Sequence, residues 1–194
     1  MNLSTAIPSF LEYLLNVRAY SPFTCLTYRH SLLNFLEAMG DIETKELTKP
    51  SLEAYYAYLN TRLAKDGSKI SSRSKNTNLA ILRSFLKFLK EDDDLVLDPR
   101  KVSSVKPEPR IMPTTLTERE LTSLMLAPDT TTLSGKRDYA ILNTLFSTGL
   151  RVSELAALTR EEVAGVDKIT VCGKGQKTRT VFLSANAKEA ISAY

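Results

Sequence analysis

Apolar residues recur at three- and four-residue spacings from the start of the chain, where Ile7, Phe10, Leu11, Leu14 and Leu15 form a stripe that predicts an amphipathic helix over 3–17. Ser21-Pro22 reads as a cap followed by a first-turn proline, opening a second helix that runs to Met39 before Gly40 stops it. Thr48-Lys49-Pro50 repeats that signal and starts a third helix, with Leu52, Tyr55, Tyr56 and Leu59 inward and an end near Asp66-Gly67. A fourth occupies roughly 70–90, its stripe made by Leu79, Leu82, Phe85, Leu86 and Leu89. Four such helices are enough for a small bundle.

The pattern then lapses. An acidic run, Glu91-Asp92-Asp93-Asp94, precedes a stretch carrying Pro99, Pro107, Pro109 and Pro113 with little apolar periodicity, which predicts a linker over 91–112. Helical spacing resumes at Thr117, with Glu120 at the capping-box position, and again across Tyr139, Ile141, Leu142, Leu145 and Phe146, expected to be central in a second core. Thr148-Gly149 closes that helix and another, Arg151 to Leu158, follows at once. The period changes to two in Lys168–Cys172 and Thr178–Leu183, separated by Gly173 to Lys177, which predicts a β-hairpin. One more helix begins near 185.

Composition adds limits. With 43% apolar and 25% charged residues over 194 positions, the chain is ordinary globular protein of one or two domains. No long apolar run predicts a membrane span, and MNLSTAIPSFLEYLL lacks the basic-then-apolar order of a signal peptide, so the cytoplasm is the expected compartment. Cys25 and Cys172 stand far apart without Cys or His companions, which indicates neither a disulfide framework nor a metal site. The single histidine, His30, reads as a surface or packing residue. Net charge is only +4, but Arg62 to Lys90 holds eight basic residues against one acid. Such a segment is either a solvated helix face or the footprint of a polyanion partner.

Two stretches carry candidate chemistry. In VCGKGQKTRTVFL, Gly173-Lys174-Gly175 lacks the glycine spacing and the following Ser or Thr of a nucleotide-binding P-loop, and it leads into a strand instead of a helix. It remains a hairpin tip with Lys174, Lys177 and Arg179 together: a soluble turn, or a lysine delivered to some other phosphate. Upstream, Arg151 stands at a helix start, where the macrodipole disfavours a cation unless an anion is to be held there. Glu154 lies on the same face and can orient it, so the pair is either an ordinary ion pair or an anion clamp.

Taken together, FSTGLRVSELAALTREEV and ITVCGKGQKTRTVFLS resemble the first catalytic box and following hairpin of the tyrosine recombinase (phage integrase) family, especially its Xer-type and its integron or transposon members. SPFTCLTYRHSLLNFLEAMG is similar to the start of that family's helical core-binding domain, and PTTLTERELTSLM to the beginning of its catalytic domain. The resemblance implies a mainly α chain: a four-helix core-binding (SAM-like) domain over 1–90, a linker over 91–112, and an incomplete α+β catalytic domain with a β-hairpin over 113–194. It implies DNA strand breakage and rejoining, in which a tyrosine attacks a phosphodiester to form a 3′-phosphotyrosyl intermediate, without metal or other cofactor. Arg151 matches the first catalytic arginine, Lys174 the hairpin lysine that protonates the leaving oxygen, and Glu154 the acid that supports the arginine. The family's His-x-x-Arg box, further His or Trp, and nucleophilic tyrosine all fall beyond residue 194, and Tyr194 reads as a helix aromatic. The chain thus looks like an amino-terminal portion, expected to bind double-stranded DNA and not to cleave it. Plausible DNA contacts are Thr24, Thr27 and Arg29 at one helix start, Ser72, Arg73, Lys75 and Asn76 at another, and Lys177 and Arg179 on the hairpin. Full-length members assemble as tetramers on two duplexes. The alternative is a DNA-binding module without catalysis.

Overall fold

The computed structural model describes residues 1–64, 66–91, 96–109, 114–173 and 177–194, and divides into two units, Met1–Ile111 and Met112–Tyr194. The first is built from α1 (Leu3–Asn16), α2 (Pro22–Met39), α3 (Lys49–Thr61) and α4 (Ser72–Glu91), with short 3-10 turns at Thr44–Glu46 and Pro99–Lys101. Helix starts follow the expected chemistry: the Ser21 hydroxyl accepts from the Thr24 N–H at 3.2 Å, and Gly40 closes α2 with a φ of 72°. Helix α3 stops earlier than its apolar spacing suggests, at Thr61. There the chain reverses through a bridge between Leu63 and Lys69, with Asp66 accepting from the Ser68 N–H at 3.0 Å.

The bundle core is aromatic at its centre. Phe10 lies with its ring centroid 5.4 Å from Phe85 and 5.2 Å from Phe88, and Phe35 meets Tyr55 edge-on at 4.9 Å. Leu32, Leu59, Leu79, Leu82, Leu86 and Leu89 fill the space around them.

Much of the stretch expected to be an open linker lies on this bundle. Leu97 and Val102 are buried in its core. The Arg83 guanidinium donates twice to the Val102 carbonyl, at 2.6 and 3.1 Å. The Asn76 amide pairs with both backbone groups of Val105, at 3.1 and 2.8 Å. The Tyr56 hydroxyl donates to the Ser103 carbonyl at 2.6 Å, and the Glu108 carboxylate accepts from the Ser72 hydroxyl at 2.8 Å and N–H at 3.2 Å. A strap over 97–108 is therefore held mainly by polar bonds to its backbone, which leave no apolar period to read.

The second unit contains α5 (Glu118–Met125), α6 (Leu133–Thr148), α7 (Val152–Ala156), α8 (Arg160–Val163), the hairpin strands β1 (Lys168–Cys172) and β2 (Thr178–Phe182), and α9 (Ala185–Ala193). The strands are antiparallel, with Ile169 opposite Val181 and Val171 opposite Arg179. Ile169, Val171 and Leu183 face a small core with Leu150 and Ala187. Helix α6 packs on α9, and the Ser147 hydroxyl donates to the Phe182 carbonyl at 3.1 Å while accepting the Ser184 N–H at 2.7 Å. The expected central burial of α6 is only partly met: Ala140, Asn143 and Thr144 are buried, but Phe146 is 66% exposed. The helix carries apolar groups on more faces than its neighbours cover. Among the described residues, no helix is long and apolar enough to cross a membrane.

Candidate functional site

In the second unit the site starts at a turn. Gly149 adopts a left-handed φ of 61°, which an L side chain resists, and redirects the chain so that Arg151 becomes the residue preceding α7. This differs from the expected helix over Arg151 to Leu158: α7 spans only Val152–Ala156, and the Arg151 N–H is already taken by the Glu154 Oε2 at 2.7 Å. So short and self-capped a helix offers its guanidinium, not its dipole, to an anion.

Glu154 is the hub. Its Oε1 accepts from Arg151 Nη1 at 2.8 Å and from Arg179 Nη1 at 2.9 Å, while its Oε2 accepts from Arg179 Nη2 at 2.8 Å as well as from the Arg151 backbone. Both oxygens are thereby saturated by charged or backbone donors. The paired Arg179 guanidinium first, and the Arg151 N–H next, hold this carboxyl at about 2, far below its ordinary value. The partnership in turn raises Arg179. The Glu154 side chain is 7% exposed and that of Arg151 61%, so the acid is enclosed and one arginine faces outward.

Gly173 forms the roof of this cluster. Its N–H donates to the Lys177 carbonyl at 2.8 Å, closing the base of the hairpin. A Cβ placed on it would lie 3.2 Å from Arg179 Nη1, 3.4 Å from Glu154 Oε1 and 3.5 Å from Arg151 Nη1. Lys174, the next residue, lies outside the described residues. Lys177 is exposed at the foot of β2. Arg179 was expected to contact DNA, but both its terminal nitrogens are bonded to Glu154. The signal for its inward turn is the alternation Arg179, Val181, Leu183 opposite buried Val171 and Ile169: a cation on the inward face of a strand calls for a buried acid.

In the helical unit the candidate contacts separate into two groups. Ser72 and Asn76 hold the strap, and Lys75 donates to Asn60 at 2.9 Å. Thr24, Thr27 and Arg29 on α2, and Arg73 on α4, reach the surface. Between these helix starts runs a shallow groove lined by Phe23, Thr24, Thr27, Thr77 and Ala80, with Phe23 84% exposed. The basic segment divides in the same way. Arg83 anchors Val102 and Arg62 pairs with Tyr58 and Glu37, whereas Lys69, Arg73, Lys87 and Lys90 are exposed. His30 is exposed on α2, and Tyr194 lines an apolar groove with Ile141, Leu155, Leu158 and Ile191.

Comparison with known proteins finds the same order of parts. Residues 7–92 match the family model for the phage integrase N-terminal SAM-like domain, and residues 114–194 match that of the phage integrase family. The chain belongs to the phage integrase family. Among family members, tyrosine recombinase XerC of Anoxybacillus flavithermus is 32% identical over 194 residues, covering 100% of this chain and 64% of the relative. XerC of Chlamydia muridarum is 31% identical, covering 96% of this chain and 64% of its own length. This phage integrase chain therefore spans about 64% of the length of the relatives it matches. Its fold is similar to that of lambda integrase residues 75–356, as seen in a crystal structure of that integrase's dimer bound to a COC′ core site, at a TM-score of 0.74 and 14% identity over 98% of this chain and 68% of the other.

Proposed function

We propose that this chain is part of a site-specific DNA recombinase that breaks and rejoins strands through a phosphotyrosyl intermediate. Its own share is to bind duplex DNA and to grip the phosphate at which the strand is cut. Residues 1–90 serve as the core-binding domain and 113–194 as an incomplete catalytic domain, acting in the cytoplasm without a cofactor. The observation that carries this reading is the outward-facing Arg151, fixed by Glu154 beneath Gly173, at the point where the chain runs directly into Lys174.

The chemistry follows from those groups. Attack on a phosphodiester builds negative charge on the non-bridging oxygens, and a guanidinium already held in place stabilises that charge without reorganisation. The departing 5′-oxygen needs a proton, which the Lys174 ammonium supplies as general acid. A His-x-x-Arg box is not among these 194 residues, since the sole histidine is His30, followed by Ser31-Leu32-Leu33, and in this reading none of the chain's tyrosines serves as the nucleophile. The chain by itself therefore binds without cleaving, and a longer chain carrying the additional third found in the XerC relatives assembles as a tetramer on two duplexes.

The test has two arms. Fluorescence anisotropy on a duplex of about 30 base pairs should show binding that weakens steeply with salt, as phosphate contacts require. Salt-independent or undetectable binding would sink the reading. In a chain extended by a segment matching the remaining third of the XerC relatives, Arg151→Ala and Lys174→Ala should each abolish covalent trapping on a nicked suicide duplex while leaving binding within about threefold; undiminished trapping removes the assigned roles.

A further inference from the structure

A cation that grips phosphate gains little if a carboxylate beside it cancels its charge. Glu154 is such a carboxylate, bonded to Arg151 through both the guanidinium and the backbone. With Arg151 and Glu154 alone, the pair is neutral. A phosphate approaching it meets an acid that already competes for the same guanidinium.

We infer that Arg179 is a charge-balancing residue: its two-pronged hold on Glu154 neutralises that acid and leaves Arg151 as the one uncompensated cation among the described residues of the cluster. This rests on the proposed phosphate-gripping role of Arg151 and names the device that makes it possible. The geometry supports three parts of it. Arg179 places Nη1 and Nη2 side-on against the two carboxylate oxygens, at 2.9 and 2.8 Å, so Glu154 gives its bidentate face to β2. Arg151 is left with a single guanidinium nitrogen on Glu154, Nη1 at 2.8 Å. Gly173 covers the cluster with no side chain of its own, so close that a Cβ there would lie 3.2–3.5 Å from the carboxylate and both arginines. Arg179 touches no substrate in this scheme. It acts as a positioning residue through Glu154, and it also ties the hairpin that bears Lys174 to the helix that follows Arg151.

The distinguishing consequence is a rescue. Removing Arg179 frees Glu154 to close its bidentate face on Arg151, and removing the Glu154 charge as well returns Arg151 to the cationic state. The probe is inorganic phosphate, followed by the Arg151 Nε–Hε resonance in 15N–1H spectra of the 194-residue chain, with duplex DNA binding measured in parallel. In Arg179→Ala the phosphate response of Arg151 should weaken by about tenfold. Arg179→Lys should retain most of it, and Arg179→Ala combined with Glu154→Gln should restore it to within about threefold of the starting protein. If Arg179→Ala unfolds the second unit, Arg179→Gln, which keeps the stem without the charge, is compared in the same way.

A double variant as weak as or weaker than Arg179→Ala overturns the inference, because Arg179 would then be a direct ligand or a plain structural anchor. An unresponsive Arg151 in the starting protein overturns it as well. If Arg151 responds to phosphate and the rescue holds but duplex DNA does not bind, the charge-balancing role stands and the DNA reading falls.

Discussion

At the scale of single residues, the site depends on how closely Gly173 approaches three charged groups. Its backbone is not in the left-handed region, so alanine there meets only a steric objection, chiefly from Arg179 Nη1 at 3.2 Å. Gly173→Ala should therefore cost under about 1 kcal/mol in urea unfolding while weakening the response of Arg151 to inorganic phosphate several-fold, because the neighbour that must yield is the one fixing Glu154. Glu154 gives a second prediction. Its carboxyl is depressed from an ordinary 4.5 to about 2, so its stabilising contribution is complete above 4.5 and is lost as pH falls toward 2. In Glu154→Gln that part of the acid dependence disappears. Urea midpoints measured between pH 5 and 2.5 should fall less steeply in the variant than in the starting protein, and identical slopes would refute the pairing.

Among elements, the helix starts were legible because their chemistry is local: Ser21 before Pro22 and Thr117 with Glu120 signal a cap whatever surrounds them. The hairpin was equally legible from its β-branched alternation around Gly173. Three features were not. The early end of α3 is decided by the Leu63–Lys69 bridge, a contact that no helical period encodes. Phe146 has the spacing of a core residue, yet no described neighbour covers it. The strap over 97–108 lacks periodicity because side chains of α3 and α4 grip its backbone. Within the site, the Arg151 and Glu154 pairing followed from their three-residue separation, whereas Arg179 had to be placed by strand register before its inward face had meaning. The strap carries its own prediction. Asn76→Ala removes both bonds to Val105 and should lower stability by about 1–2 kcal/mol in urea unfolding. It should also speed amide exchange at Val105 ahead of the bundle core. Unchanged exchange there would mean that the strap is held at Val105 without the Asn76 bonds.

On the scale of the molecule, the two units differ in how much they bury. The first has an aromatic and leucine core around Phe10, Tyr55 and Phe85, while the second buries chiefly Leu150, Ile169, Val171, Leu183 and Ala187 and leaves an apolar groove of about 670 Å³ along Ile141, Leu155, Leu158 and Ile191. Two cores of such unequal size should not melt as one. Hydrogen exchange along a thermal ramp should release β1 and α9 while Leu82 to Leu89 remain protected, and a single coincident transition would contradict this. The strap also decides where the molecule can be divided. A cut placed after residue 90, where the apolar period ends, discards Leu97 and Val102 from the core and strands the side chains of Asn76 and Arg83 without the carbonyls they bind. The helical unit prepared as a separate fragment should therefore begin at residue 1 and end near 109, and the shorter piece should unfold at a lower temperature although it keeps α1 to α3 and all but the last residue of α4.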